Sequence, residues 1–90
     1  MSGCSRTIEI TNRRGLHARA SAKFVNMAAG LPIKVEVEKD GNRVCGTSIM
    51  GLMMLGAAMG DTIVIHCDGE GCAEAIDQLA HLVESRFGED

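Results

Sequence analysis

Ile8 and Ile10 alternate with Thr7, Glu9 and Thr11, the period of two expected of a strand buried on one face. Asn12-Arg13-Arg14-Gly15 breaks that alternation. Beyond it, Leu16, Ala20, Phe24 and Met27 recur at i, i+4, i+8 and i+11, with Arg19, Lys23 and Asn26 on the opposite stripe. This spacing predicts an amphipathic helix that runs to about residue 29 and is closed by Gly30. Ile33, Val35 and Val37 then alternate with Lys34, Glu36 and Glu38, a second strand, and Asp40-Gly41 signals a hairpin turn into a short third strand through Val44 and Cys45. Thr47-Ser48 offers an N-cap for a short helix over residues 49–55, weakened by Gly51. Residues 61–67 are β-branched and brief, a fourth strand. After Gly69-Glu70-Gly71, the recurrence of Cys72, Ile76, Leu79, Val83 and Phe87 predicts a last helix, with Glu74, Asp77, His81 and Glu84 facing outward.

The predicted order is βαββαβα. Strands that alternate apolar and polar residues need cover on one face only, and three helices can supply it. The fold class is therefore α+β, a two-layer sandwich with a four-stranded, largely antiparallel sheet. Its 90 residues, 46% of them apolar, suit a single domain over 1–90 with one small core.

Charge changes the picture once it is resolved along the chain. The net charge is −3, and Phe24 and Phe87 are the only aromatic residues. That combination argues against single-stranded nucleic-acid binding, which uses a basic groove and aromatic platforms. Residues 6–34 nevertheless carry a local +5, against −1 over 35–43 and −7 over 44–90. The longest apolar run, residues 49–60, contains three glycines and is too short to span a bilayer, which needs about 20 residues. The start, MSGCSRTIEI, lacks an apolar signal core, so a cytoplasmic protein is expected. The four cysteines at 4, 45, 67 and 72 form no CxxC and match no zinc module; they read as reduced thiols, with no metal and no cofactor. His66 and His81 read as surface residues.

The informative segment is Gly15-Leu16-His17-Ala18-Arg19, where a strand-exit loop becomes a helix. It puts His17 at or beside the N-cap, among backbone N–H groups that lack intrahelical partners. Those donors and the positive end of the helix dipole make a phosphate site, and the same field favours a neutral, nucleophilic imidazole. Arg19 can donate charge-assisted hydrogen bonds to phosphoryl oxygens, with Arg13 and Arg14 close in sequence. Gly15 allows close backbone approach or a positive φ. The residues alone thus describe a small α+β domain with an anion site.

Over essentially its whole length the chain also resembles the histidine-containing phosphocarrier family, HPr and its nitrogen-related paralogue, of the bacterial phosphoenolpyruvate-dependent phosphotransferase system. The resemblance rests on Gly15-Leu16-His17-Ala18-Arg19, on Ser21-Ala22-Lys23-Phe24-Val25, on Ser48-Ile49-Met50-Gly51-Leu52-Met53 and on the element order. It implies an open-faced β-sandwich with strand order 1-4-2-3. It implies that His17 accepts a phosphoryl group on Nδ1 from enzyme I and passes it to an enzyme II A-type component, with Arg19 stabilising the phosphate beside Gly15 and Ala18. It makes the chain a carrier, catalysis being supplied by its partners. Ser48 matches a regulatory site that an HPr kinase/phosphorylase modifies in some lineages, and Ile49, Met50 and Met53 form a docking patch whose pliable methionines suit several partners. The chain departs from the family in one place: Ala20 stands where the motif usually has Pro. Ala20 restores an N–H donor in the first helical turn, which Pro would lack.

Two other readings stay open at this point. A regulatory module of the same fold would act through Ser48 and the methionine patch without carrying phosphate on His17. A small metal-handling domain shares related element orders, but no CxxC stands on the first loop. A monomer without nucleic-acid or membrane partners is expected.

Overall fold

The computed structural model describes residues 3–88. Its elements run β1 (Gly3–Glu9), α1 (Ala18–Ala29), β2 (Val35–Lys39), β3 (Asn42–Cys45), α2 (Ile49–Met54), β4 (Thr62–Asp68) and α3 (Cys72–Glu84), followed by a 3₁₀ turn at Arg86–Gly88. The four strands form one antiparallel sheet in the order β1-β4-β2-β3. The α+β class and the element order are those expected from the sequence, and the sheet order is the one the family resemblance implies.

Register explains which face is covered. Ile8 pairs with Ile63, and Val37 lies between Ile65 and Val44, so these apolar side chains share a face. They are joined in one core by Leu16, Ala20 and Phe24 from the α1 side, Leu52 from α2, and Ile76, Leu79 and Val83 from α3. Burying each large side chain of this set contributes about 1.5–3 kcal/mol. The α1 stripe is rotated slightly from the expectation: Ser21 and Ala28 are buried, while Met27 is only half-buried.

The opposite face carries Thr7, Val64, Glu38 and Arg43 in one row and Ser5, His66, Glu36 and Cys45 in the next. Arg43 reaches Glu36 at 3.3 Å and Glu38 at 3.5 Å, and His66 Nε2 lies 2.7 Å from Glu38. This corrects the reading of His66 as a plain surface residue: pairing across β2 and β4 half-buries it. The hydrogen bond from His66, followed by the Arg43 guanidinium, holds the Glu38 carboxyl below the ordinary glutamate range.

Two further expectations need correction. Cys67 and Cys72 are joined in a disulfide, with Cα atoms 5.8 Å apart, rather than standing as reduced thiols. The end of β4 and the first turn of α3 converge, which a spacing of five residues does not disclose. Cys4 and Cys45 are free. The last helix ends at Glu84, not at Phe87: Arg86 and Phe87 both take positive φ. Phe87 is still buried to 1% exposure, because the turn folds its ring back into the core. Lys23 Nζ donates to the Phe87 carbonyl at 2.6 Å, tying α1 to this turn.

Candidate functional site at the start of helix α1

His17 is the N-cap of α1, with extended backbone at φ −76° and ψ −177°. Its carbonyl accepts from Ser21 N–H at 2.8 Å and closes the first turn. The amides of Ala18, Arg19 and Ala20 precede that bond and have no carbonyl four residues back to accept them within the helix. One of them is engaged by the cap itself: Arg19 N–H donates to His17 Nδ1 at 3.2 Å. An accepting Nδ1 carries a lone pair, which assigns the ring proton to Nε2 in the neutral imidazole. Nδ1 is thus the ring nitrogen turned toward the helix N-terminus.

The chain enters this cap along a braced path. Gly15 has φ +63°, and a Cβ there would run into the Ala57 carbonyl oxygen; no other residue type combines that backbone with that approach. Leu16 N–H donates to the same Ala57 carbonyl at 2.9 Å. Buried Ser21 returns its hydroxyl to the Leu16 carbonyl at 3.2 Å. Buried Asn12 donates from Nδ2 to the Gly15 carbonyl at 2.8 Å. The turn signal in Asn12-Arg13-Arg14-Gly15 was legible, but the burial of the Asn12 side chain was not.

The charged residues singled out in the sequence lie around this entry. Arg13, Arg14 and Arg19 are exposed and form no ion pair among the described residues. Ala18 is exposed and Gly15 buried. Ala20 is fully buried and lies within a regular first turn, so the absence of Pro leaves the helix start intact.

Ser48 caps α2: Gly51 N–H donates to its Oγ at 2.9 Å. On that helix Leu52 points into the core, while Ile49, Met50 and Met53 are 41%, 71% and 42% exposed. Met54, one of the apolar residues in excess of what so short a helix can bury, is exposed as well, and so is Met59 beyond the end of α2. Helix α2 packs on α1, and the chain leaving it supplies the Ala57 carbonyl that holds Leu16. The apolar patch and His17 therefore stand on adjoining structure. His66, Cys67 and Cys72 do not form a metal-binding group, and no cluster of three or more such ligands occurs among the described residues. No described helix is long and apolar enough to cross a membrane.

Comparison with known proteins decides the family. Residues 4–85 match the family profile PTS-HPr, described as the PTS HPr component phosphorylation site. The chain belongs to the HPr family. Among its relatives, the phosphocarrier protein HPr of Neisseria meningitidis serogroup A is 51% identical over 83 residues, covering 92% of this chain and 93% of the relative. The phosphocarrier protein HPr of Cupriavidus necator is 44% identical over 84 residues, covering 93% and 94%. The crystal structure of HPr-C-His from Thermoanaerobacter tengcongensis superimposes with a TM-score of 0.91 at 44% identity, covering 97% of this chain and 98% of that one.

Proposed function

We propose that this chain is a phosphocarrier of the phosphotransferase system that accepts a phosphoryl group on His17 Nδ1 from enzyme I and hands it to an enzyme II A-type component. The observation that carries the reading is the capping bond from Arg19 N–H to Nδ1. In the neutral imidazole it turns the Nδ1 lone pair toward the helix-terminal donors. In the transfer, Nδ1 attacks phosphorus. The Nδ1–P bond forms as the bond from phosphorus to its donor atom on enzyme I breaks, and that electron pair stays with the donor. The Arg19 amide, released from Nδ1, then has phosphoryl oxygens to serve, together with the amides of Ala18 and Ala20 and the Arg19 guanidinium. A neutral nitrogen leaving group lets the phosphoryl pass on again. The single domain spans 1–90, works as a monomer in the cytoplasm, and needs no cofactor. It is a stoichiometric carrier, with catalysis supplied by its partners.

Exposed Ile49, Met50 and Met53 form the docking patch beside the acceptor, and the surrounding Arg13, Arg14 and Arg19 favour acidic partner surfaces. Ser48, at the edge of that patch, is a regulatory site: a phosphate there places two negative charges on the docking face. An HPr kinase/phosphorylase is the enzyme class that would install it.

Incubation with enzyme I and phosphoenolpyruvate tests the reading. One acid-labile phosphoryl group per chain is expected, and His17→Ala should abolish it while leaving the circular dichroism spectrum unchanged. Labelling that persists in His17→Ala overturns it. An ATP-dependent, acid-stable label on Ser48 without any on His17 would favour the purely regulatory module.

A further inference from the structure

We propose that Asn12 is a positioning residue for phosphoryl transfer, acting on His17 through the Gly15 backbone. The proposal rests on His17 being the phosphoryl acceptor. Asn12 is a polar side chain only 1% exposed, in a loop outside every helix and strand. Burial of an amide costs free energy unless its hydrogen bonds are met, so a polar side chain kept here points to something it holds. What it holds is the chain entering the site. The Nδ2 group donates to the Gly15 carbonyl at 2.8 Å, and the Asn12 carbonyl accepts Gly15 N–H at 3.2 Å. Side chain and backbone together clasp both polar groups of Gly15, two residues before His17.

That clasp sets direction. Arg13 and Arg14 are turned outward and exposed, Gly15 is held at φ +63°, and Leu16 is fixed from both sides by Ala57 and Ser21. The next residue is His17, whose extended backbone places Nδ1 within 3.2 Å of the Arg19 amide. Removing the Asn12 amide frees the Gly15 carbonyl to rotate, and the rotation passes to the cap. Only a donor satisfies that carbonyl: an aspartate would set a carboxylate oxygen against it. A misplacement of the order of 1 Å at a reacting group costs about a hundredfold in rate.

The test compares Asn12→Ala and Asn12→Asp with the full natural chain, well below each variant's thermal midpoint. Single-turnover transfer from phosphorylated enzyme I to His17 should slow by about ten- to a hundredfold, with the enzyme I concentration at half-saturation unchanged. The ¹⁵N shifts of the His17 ring should move from the Nε2–H form toward a mixture of tautomers. Asn12→Asp keeps the shape and answers the question if Asn12→Ala does not fold. Transfer within twofold of the natural chain and an unshifted His17 ring in either folded variant would overturn the proposal. If the natural chain takes no phosphoryl from enzyme I, the functional reading falls instead, and the ring shifts alone decide whether Asn12 positions His17.

Discussion

The two side-chain helix caps, at His17 and at Ser48, use the same local geometry for different chemistry. At α1 the imidazole Nδ1 receives the Arg19 amide at 3.2 Å; at α2 the Ser48 hydroxyl receives the Gly51 amide at 2.9 Å. Both satisfy a donor that the helix leaves unpaired. The surroundings differ. His17 opens a 12-residue helix after a loop pinned at Gly15 and Leu16, among exposed arginines. Ser48 opens a 6-residue helix whose outward side is methionine and isoleucine. A fixed nitrogen lone pair in a basic setting suits repeated acceptance and release of a phosphoryl group. A hydroxyl beside an exposed apolar surface is where an added phosphate would most change the character of that surface.

The largest break in this comparison comes from the loop. Gly15→Ala forces a Cβ onto the Ala57 carbonyl at a positive φ, and we expect a loss of about 3 kcal/mol or more in denaturant unfolding, with slowed transfer to His17 in whatever remains folded. Ser48→Ala should cost about 1 kcal/mol as a lost cap, read from the same unfolding curve, while leaving His17 labelling within twofold. A large loss of labelling in Ser48→Ala would mean that the two caps are not separable. Ala20→Pro should change stability by less than about 1 kcal/mol, since a first-turn position tolerates proline; its effect on single-turnover transfer measures what the additional amide contributes. The smallest effect lies on the open face, away from both caps. The pKa of Glu38 is lowered in the folded state by His66 and Arg43. Its stabilisation is therefore present above the unfolded glutamate pKa and fades as pH falls through the lower, folded value. Thermal midpoints taken from pH 6 downward should fall slightly less for Glu38→Gln than for the natural chain, with His17 labelling at neutral pH unchanged.

Much of this was legible in the chain itself. The i, i+4, i+8 recurrence from Leu16 to Phe24, the alternation through Val35 and Val37 and the short β-branched run at 61–67 located helix and strands, and each of these elements buries a single face. The Gly15-Leu16-His17 segment marked the cap, since a loop glycine ahead of a helix start lets the chain take a positive φ and turn tightly into the first helical turn. What stayed hidden depends on contacts between distant or oddly shaped parts. The Cys67–Cys72 disulfide requires the end of β4 to meet the start of α3. Phe87 keeps the helical spacing of the core residues although the helix has already ended, because a left-handed turn delivers it to the same core. Asn12 looked like a turn residue, and only the folded loop shows its amide turned inward onto Gly15. The excess of apolar residues through Met54 over what one short helix can bury was legible, whereas the exposure of Met59, beyond the end of α2, was not.

The central claim is that the acceptor is the ring nitrogen that caps α1. Long-range ¹H–¹⁵N correlation of the His17 ring, recorded before and after phosphorylation by enzyme I, tests it most directly. An Nε2–H ring is expected, with an Nδ1 resonance that shifts on forming the phosphorus bond and a large displacement of the Arg19 amide. A phosphoryl group on Nε2, or an Arg19 amide that does not respond, would contradict it.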